Sequence, residues 1–111
     1  MYRKIILSFT LFLFAFGYAA ARNSLKIEPL FWWAGMKNPE LQLMIYADGI
    51  AGYRPAIDQP GVYLKNYVTV ESPNYLILYL DLSEARPGTF DITFTNGKKK
   101  LVYPYELKER K

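Results

Sequence analysis

The sequence predicts an all-β domain built as an antiparallel β-sandwich. Three observations carry that prediction. Strand-like alternation recurs every ten residues or so, at about the spacing expected of short strands. Gly, Pro and Asn signals fall between the alternating runs. Beyond the N-terminal segment, no stretch repeats its apolar residues with a helical period. The 111 residues include ten Tyr, seven Phe and two Trp, side chains that bring large buried areas and fit pleated, half-buried surfaces. This length holds one small domain.

The N-terminus reads as a targeting segment. Basic "MYRK" precedes the apolar run Ile5 to Phe16, and small residues follow, with Ala19 and Ala21 in an A-x-A arrangement. That is the three-part pattern of a secretory signal peptide, expected to form a helix over residues 1–21. The run is shorter than the roughly 20 apolar residues of a membrane span, which weighs against its rival, a retained N-terminal anchor. The expected mature domain is 22–107, with 108–111 beginning a linker.

Each strand has its own pattern. "SLKIEPL" (residues 24–30) sets Leu25 and Ile27 against Lys26 and Glu28. "PLFWWAGMKNPE" contains adjacent tryptophans, and extended backbone sends neighbours to opposite faces. One Trp is then expected in the core and the other outward. "LQLMIYA" (41–47) directs Leu41, Leu43 and Ile45 inward and Gln42, Met44 and Tyr46 outward. "VYLKNYVTV" (62–70) groups Val62, Leu64, Val68 and Val70 against Tyr63, Lys65, Tyr67 and Thr69. "YLILYLDL" (75–82) points four leucines inward and Tyr75, Ile77, Tyr79 and Asp81 the other way. "TFDITFT" (89–95) sets Phe90, Ile92 and Phe94 against Asp91 and Thr93. "KLVYPYEL" (100–107) is the last strand, and Pro104, lacking an N–H, belongs on an edge or near a strand end.

The turns agree with the strands. Asn96-Gly97 favours a type I′ two-residue hairpin. "SPN" (72–74) and "ARPG" (85–88) join strands, and "DGIAG" with "DQPG" punctuates residues 48–61. About seven short strands without helices suit an immunoglobulin-like sandwich. A small barrel is the alternative.

Composition narrows the chemistry. There is no Cys and no His, hence no disulfide staple, imidazole base, thiol nucleophile or usual zinc set. No cofactor or metal is expected. The carboxylates fall at turns or on polar strand sides, with no spacing that converges two of them on a cleft. A disulfide-free exported β domain suits the periplasm of a Gram-negative bacterium. Without Arg3 and Lys4 the mature part carries 12 basic and 10 acidic side chains. That near-balance speaks against nucleic acid, and no membrane contact is expected once the signal is removed. Lys98 to Lys100 reads as a solvated edge that discourages strand pairing between molecules.

Binding is the better-supplied activity. Trp32, Trp33, Tyr46, Tyr53, Tyr63, Tyr67 and Tyr79 are aromatic platforms by type, each with core packing or edge cover as its plain alternative. Gly35 admits a left-handed backbone, and Asn38 before Pro39 is driven extended. Met36, Lys37 and Asn38 then form a loop beside the Trp pair, suited to a sugar, to capping the sandwich or to another domain.

"PLFWWAGMKNPELQLMIY", "IAGYRPAI", "QPGVYLKNYVTVESPNYLILYLDL" and "PGTFDITFTNGKKKLVYPYELKER" together resemble the N-terminal domain of cyclomaltodextrinase/neopullulanase-type enzymes. These are family-13 α-glucan hydrolases, including periplasmic neopullulanases of starch-utilisation systems. The resemblance spans about Lys26 to Arg110. It implies an immunoglobulin-like module that precedes a catalytic (β/α)8 barrel and aids maltooligosaccharide or cyclodextrin binding. It also implies packing on that barrel or on a partner subunit, with a homodimer in the full enzyme. The catalytic carboxylates of such enzymes lie in the barrel, so none is carried over. Trp32, Trp33, Gly35, Met36, Lys37 and Asn38 match the family's signature. With Tyr46, those Trp, Met, Lys and Asn side chains are the expected carbohydrate-binding or interdomain contacts. The expectation is thus an export signal plus a non-catalytic module, truncated or separately encoded. A purely structural interdomain or dimerisation module and a free-standing carbohydrate-binding protein are the alternatives.

Overall fold

The computed structural model describes residues 25–110; the expected signal peptide lies outside them. Eight strands form two four-stranded sheets. They are β1 (Lys26–Glu28), β2 (Phe31–Ala34), β3 (Glu40–Tyr46), β4 (Arg54–Ile57), β5 (Tyr63–Thr69), β6 (Tyr75–Asp81), β7 (Gly88–Asn96) and β8 (Lys99–Glu109). The first sheet has the order β1-β3-β6-β5 and the second β2-β8-β7-β4. That arrangement is the immunoglobulin-like sandwich with its first strand divided between sheets. The division explains eight strands where about seven are expected: Pro29 and Leu30 carry the chain from β1 across to β2.

Alternation builds the core. β3 and β6 run antiparallel through seven paired positions, and Leu41, Leu43 and Ile45 meet Leu80, Leu78 and Leu76 on the inner face. Phe90, Ile92 and Phe94 of β7, with Tyr105 and Leu107 of β8, close the core from the other sheet. Full burial of each large apolar side chain contributes about 1.5–3 kcal/mol. No buried charged or polar residue interrupts this layer among the described residues.

Four local expectations are corrected. The alternation in β5 changes phase, because a bulge between Leu64 and Asn66 inserts Lys65. Beyond it Tyr67 and Thr69 pair with inward Leu78 and Leu76, while Val68 pairs with outward Ile77. Val68 therefore leaves the core face, and Val70 is exposed. β4, "RPAI", lies within the segment expected to hold only turns. It is short and contains Pro55, which an edge strand accepts. The β7–β8 hairpin forms as expected, but Asn96 pairs with Lys99, so Gly97 and Lys98 are its central residues. Among the described residues only glycines have positive φ, with Gly97 at 59°. Glycine first and an ordinary φ second is the type II′ pattern, not type I′. Last, β8 continues through Lys108 and Glu109, past the strand end expected at Leu107.

Pro104 illustrates how an edge can be local. β2 pairs with β8 only along Glu106–Glu109, so Pro104 stands where β8 has a neighbour on one side alone.

Candidate functional site

The expected contact residues divide among three places. Trp32 and Trp33 lie on β2, which pairs in parallel with the end of β8. Trp32 is opposite Leu107 and packs against the core. Trp33 is opposite Lys108, and Phe31 opposite Glu106, so these two face away from the core. Neither Trp is fully buried. Phe31 and Trp33 meet edge to face with centroids 5.3 Å apart, a favoured aromatic geometry. Trp32 reaches the same rim, 5.4 Å from Trp33. The Lys108 ammonium sits 3.9 Å above the Phe31 ring, a cation–π contact. An aromatic ledge thus lines the outer edge of the second sheet. Alternation predicts two fates for the Trp pair; nothing in the sequence points to Phe31 and Lys108, because the parallel pairing with β8 is invisible there.

Met36, Lys37 and Asn38 lie on the loop that crosses between sheets. Gly35 turns it at φ 79°. The Asn38 carboxamide oxygen accepts the Glu40 N–H at 3.1 Å, and the Pro39 carbonyl accepts the Leu82 N–H at 2.8 Å. These bonds fix the loop to the start of β3 and to the residue that follows β6.

Tyr46 is elsewhere. It ends β3 on the outer face of the first sheet, roughly 20 Å along the strand from Glu40. There it packs on Tyr75 with centroids 5.0 Å apart. Below that pair, Met44, Ile77 and Val68 form one cross-strand row. Met44 and Tyr46 are 42% and 43% exposed, which leaves an apolar strip open to solvent.

The same outer face holds a depression of about 300 Å³, lined by Asn38, Glu40, Gln42, Lys65, Tyr79 and adjoining backbone. Tyr79 is flanked across the strands by two amides, Gln42 on β3 and Asn66 on β5. The bulged Lys65 reaches over β6 to Glu40 at 2.7 Å. That hydrogen bond holds the lysine pKa above its ordinary value. Asp81 is held below the usual carboxylate range, chiefly by the backbone N–H of Ser83, which donates to it at 2.9 Å. Tyr79 was a platform by residue type alone. Its amide neighbours depend on strand register and on the bulge, which no sequence pattern announces.

The other aromatic candidates have separate duties. Tyr53 packs against the core. Tyr67 takes the inner side of β5 by register but remains exposed on that edge strand. The Tyr63 hydroxyl donates to Glu84 at 2.9 Å. No group of three or more carboxylates gathers as a cation site among the described residues.

The fold and its surfaces define a small all-β sandwich domain with two separate aromatic faces. The family model for the cyclomaltodextrinase N-terminal domain matches residues 26–111. The chain therefore belongs to the cyclomaltodextrinase N-terminal domain family. The matched region is that N-terminal domain, and no catalytic barrel falls within it.

Proposed function

We propose that this domain is the non-catalytic accessory module of an exported, periplasmic α-glucan hydrolase of the cyclomaltodextrinase/neopullulanase type. It packs against a family-13 (β/α)8 catalytic domain and assists maltooligosaccharide or cyclodextrin binding. The observation that carries this reading is the ledge of Phe31 and Trp33 beside Lys108 on β8. Half-buried, mutually packed aromatics with an adjacent cation are the side chains that anchor protein contacts. A domain joined after β8 is held beside this ledge by a short tether, which raises its effective concentration there.

Two measurements test the reading. Calorimetric titration of the protein with maltoheptaose and with β-cyclodextrin is expected to give binding at millimolar sugar. Association with a separately produced barrel of this enzyme type is expected to weaken about tenfold or more in Trp33→Ala. No heat with either sugar sinks the glucan role, and undiminished association of the variant sinks the ledge as the docking surface. The open strip of Met44, Tyr46 and Tyr75 favours a second reading, a purely structural interdomain or dimerisation module. Absent sugar binding together with a dimer in sedimentation selects it.

A further inference from the structure

We infer that glucan is held on the first sheet, in the depression around Tyr79, and not on the Trp ledge. This inference rests on the glucan role proposed above and gives it a location. The two outer faces are on opposite sides of the sandwich, so docking and sugar binding use different surfaces without competing.

The chemistry of the depression selects its ligand. Tyr79 supplies a half-buried ring at the centre of the sheet, a platform for the C–H face of a pyranose. Gln42 and Asn66 flank it on the two neighbouring strands, and Asn38 contributes a third amide from the loop. The Gln42 amide on the lining and the Asn66 amide just beyond it offer both donors and acceptors, while Asn38, whose oxygen already accepts the Glu40 N–H, offers its NH2 group. Such a set suits hydroxyls, which also do both. The charges nearby are already matched: Lys65 with Glu40, and Asp81 with the Ser83 N–H. A nucleotide, phosphate or acidic peptide therefore finds no free cation to meet it among the groups lining the depression. A neutral, hydroxyl-rich ring satisfies the amides and leaves the ion pair intact. The Lys65–Glu40 bridge also walls one end, because the bulge sends Lys65 across β6. The bulge thereby shapes the site as well as the strand.

The test follows maltoheptaose binding to the full chain by 1H–15N NMR and calorimetry, with Trp emission recorded in parallel. The expected result is that side-chain amide signals of Gln42 and Asn66 shift while Trp emission stays unchanged. Gln42→Ala, an exposed position, is expected to weaken binding about tenfold through lost hydrogen bonds. Tyr79→Ala is expected to abolish it, with Tyr79→Phe, which keeps the ring and the fold, retaining most of it. Binding that survives Gln42→Ala and Tyr79→Ala, or that changes Trp emission and disappears in Trp33→Ala, overturns this location and leaves the glucan role standing. No binding of maltoheptaose at all overturns both.

Discussion

Tyr105 does more than fill space. It is fully buried on β8, and its hydroxyl donates to the Pro29 carbonyl at 2.9 Å. That bond ties the last strand to the crossing between β1 and β2. Burial, aided by the nearby Tyr103, pushes the phenol well above its ordinary pKa of 10.0. The folded chain therefore keeps a proton that the unfolded chain loses. The resulting stability is fully present below pH 10 and is lost as pH rises beyond it. Tyr105→Phe is expected to cost about 1 kcal/mol at neutral pH and to flatten the alkaline decline, as read from urea unfolding at neutral pH and about pH 11. At this scale much was legible. Inward Leu, Ile and Phe followed from alternation, and so did the separate fates of Trp32 and Trp33. The neighbours of Tyr79 did not, since a residue's cross-strand partners belong to the register and not to its own segment.

Strand by strand, legibility tracked length and regularity. β3, β6 and β7 alternate without interruption and were read correctly, including which face each residue takes. β4 has four residues and a proline, too little pattern to outweigh its turn-rich surroundings. In β5 the valines suggested one unbroken phase. The ladder instead takes up an extra residue at Lys65, which puts Tyr67 in place of Val68 on the inner side by register, although at this sheet edge Tyr67 stays 38% exposed. A consequence can be measured. Deleting Lys65 restores two-residue alternation from Leu64 through Thr69 without moving any of those side chains to the other face. The fold should survive with its denaturant midpoint nearly unchanged, because the Lys65–Glu40 pair that is lost is exposed and such pairs contribute little.

Across the whole molecule, turn spacing and aromatic composition were enough to foresee a sandwich, but not how its first strand is shared. The sheet containing the Trp ledge joins early and late parts of the chain: Pro29 and Tyr105 touch although 76 residues separate them. Such long loops must close before their contacts contribute, which slows folding. Stopped-flow refolding followed by Trp emission is expected to show the last phase in the millisecond-to-second range typical of sandwiches. Trp32 and Trp33 report it because both sit on the strand that waits for β8.

The parallel pairing of β2 with β8 has a mechanical side as well. Tension applied to the segment before β2 and to the end of β8 draws the two strands in opposite directions along their common axis. Their hydrogen bonds, evenly spaced along a parallel ladder, then bear the load together in shear instead of opening one after another. A domain tethered beyond β8 would pull against this clamp, so the sandwich resists extension along the line on which such a neighbour would tug.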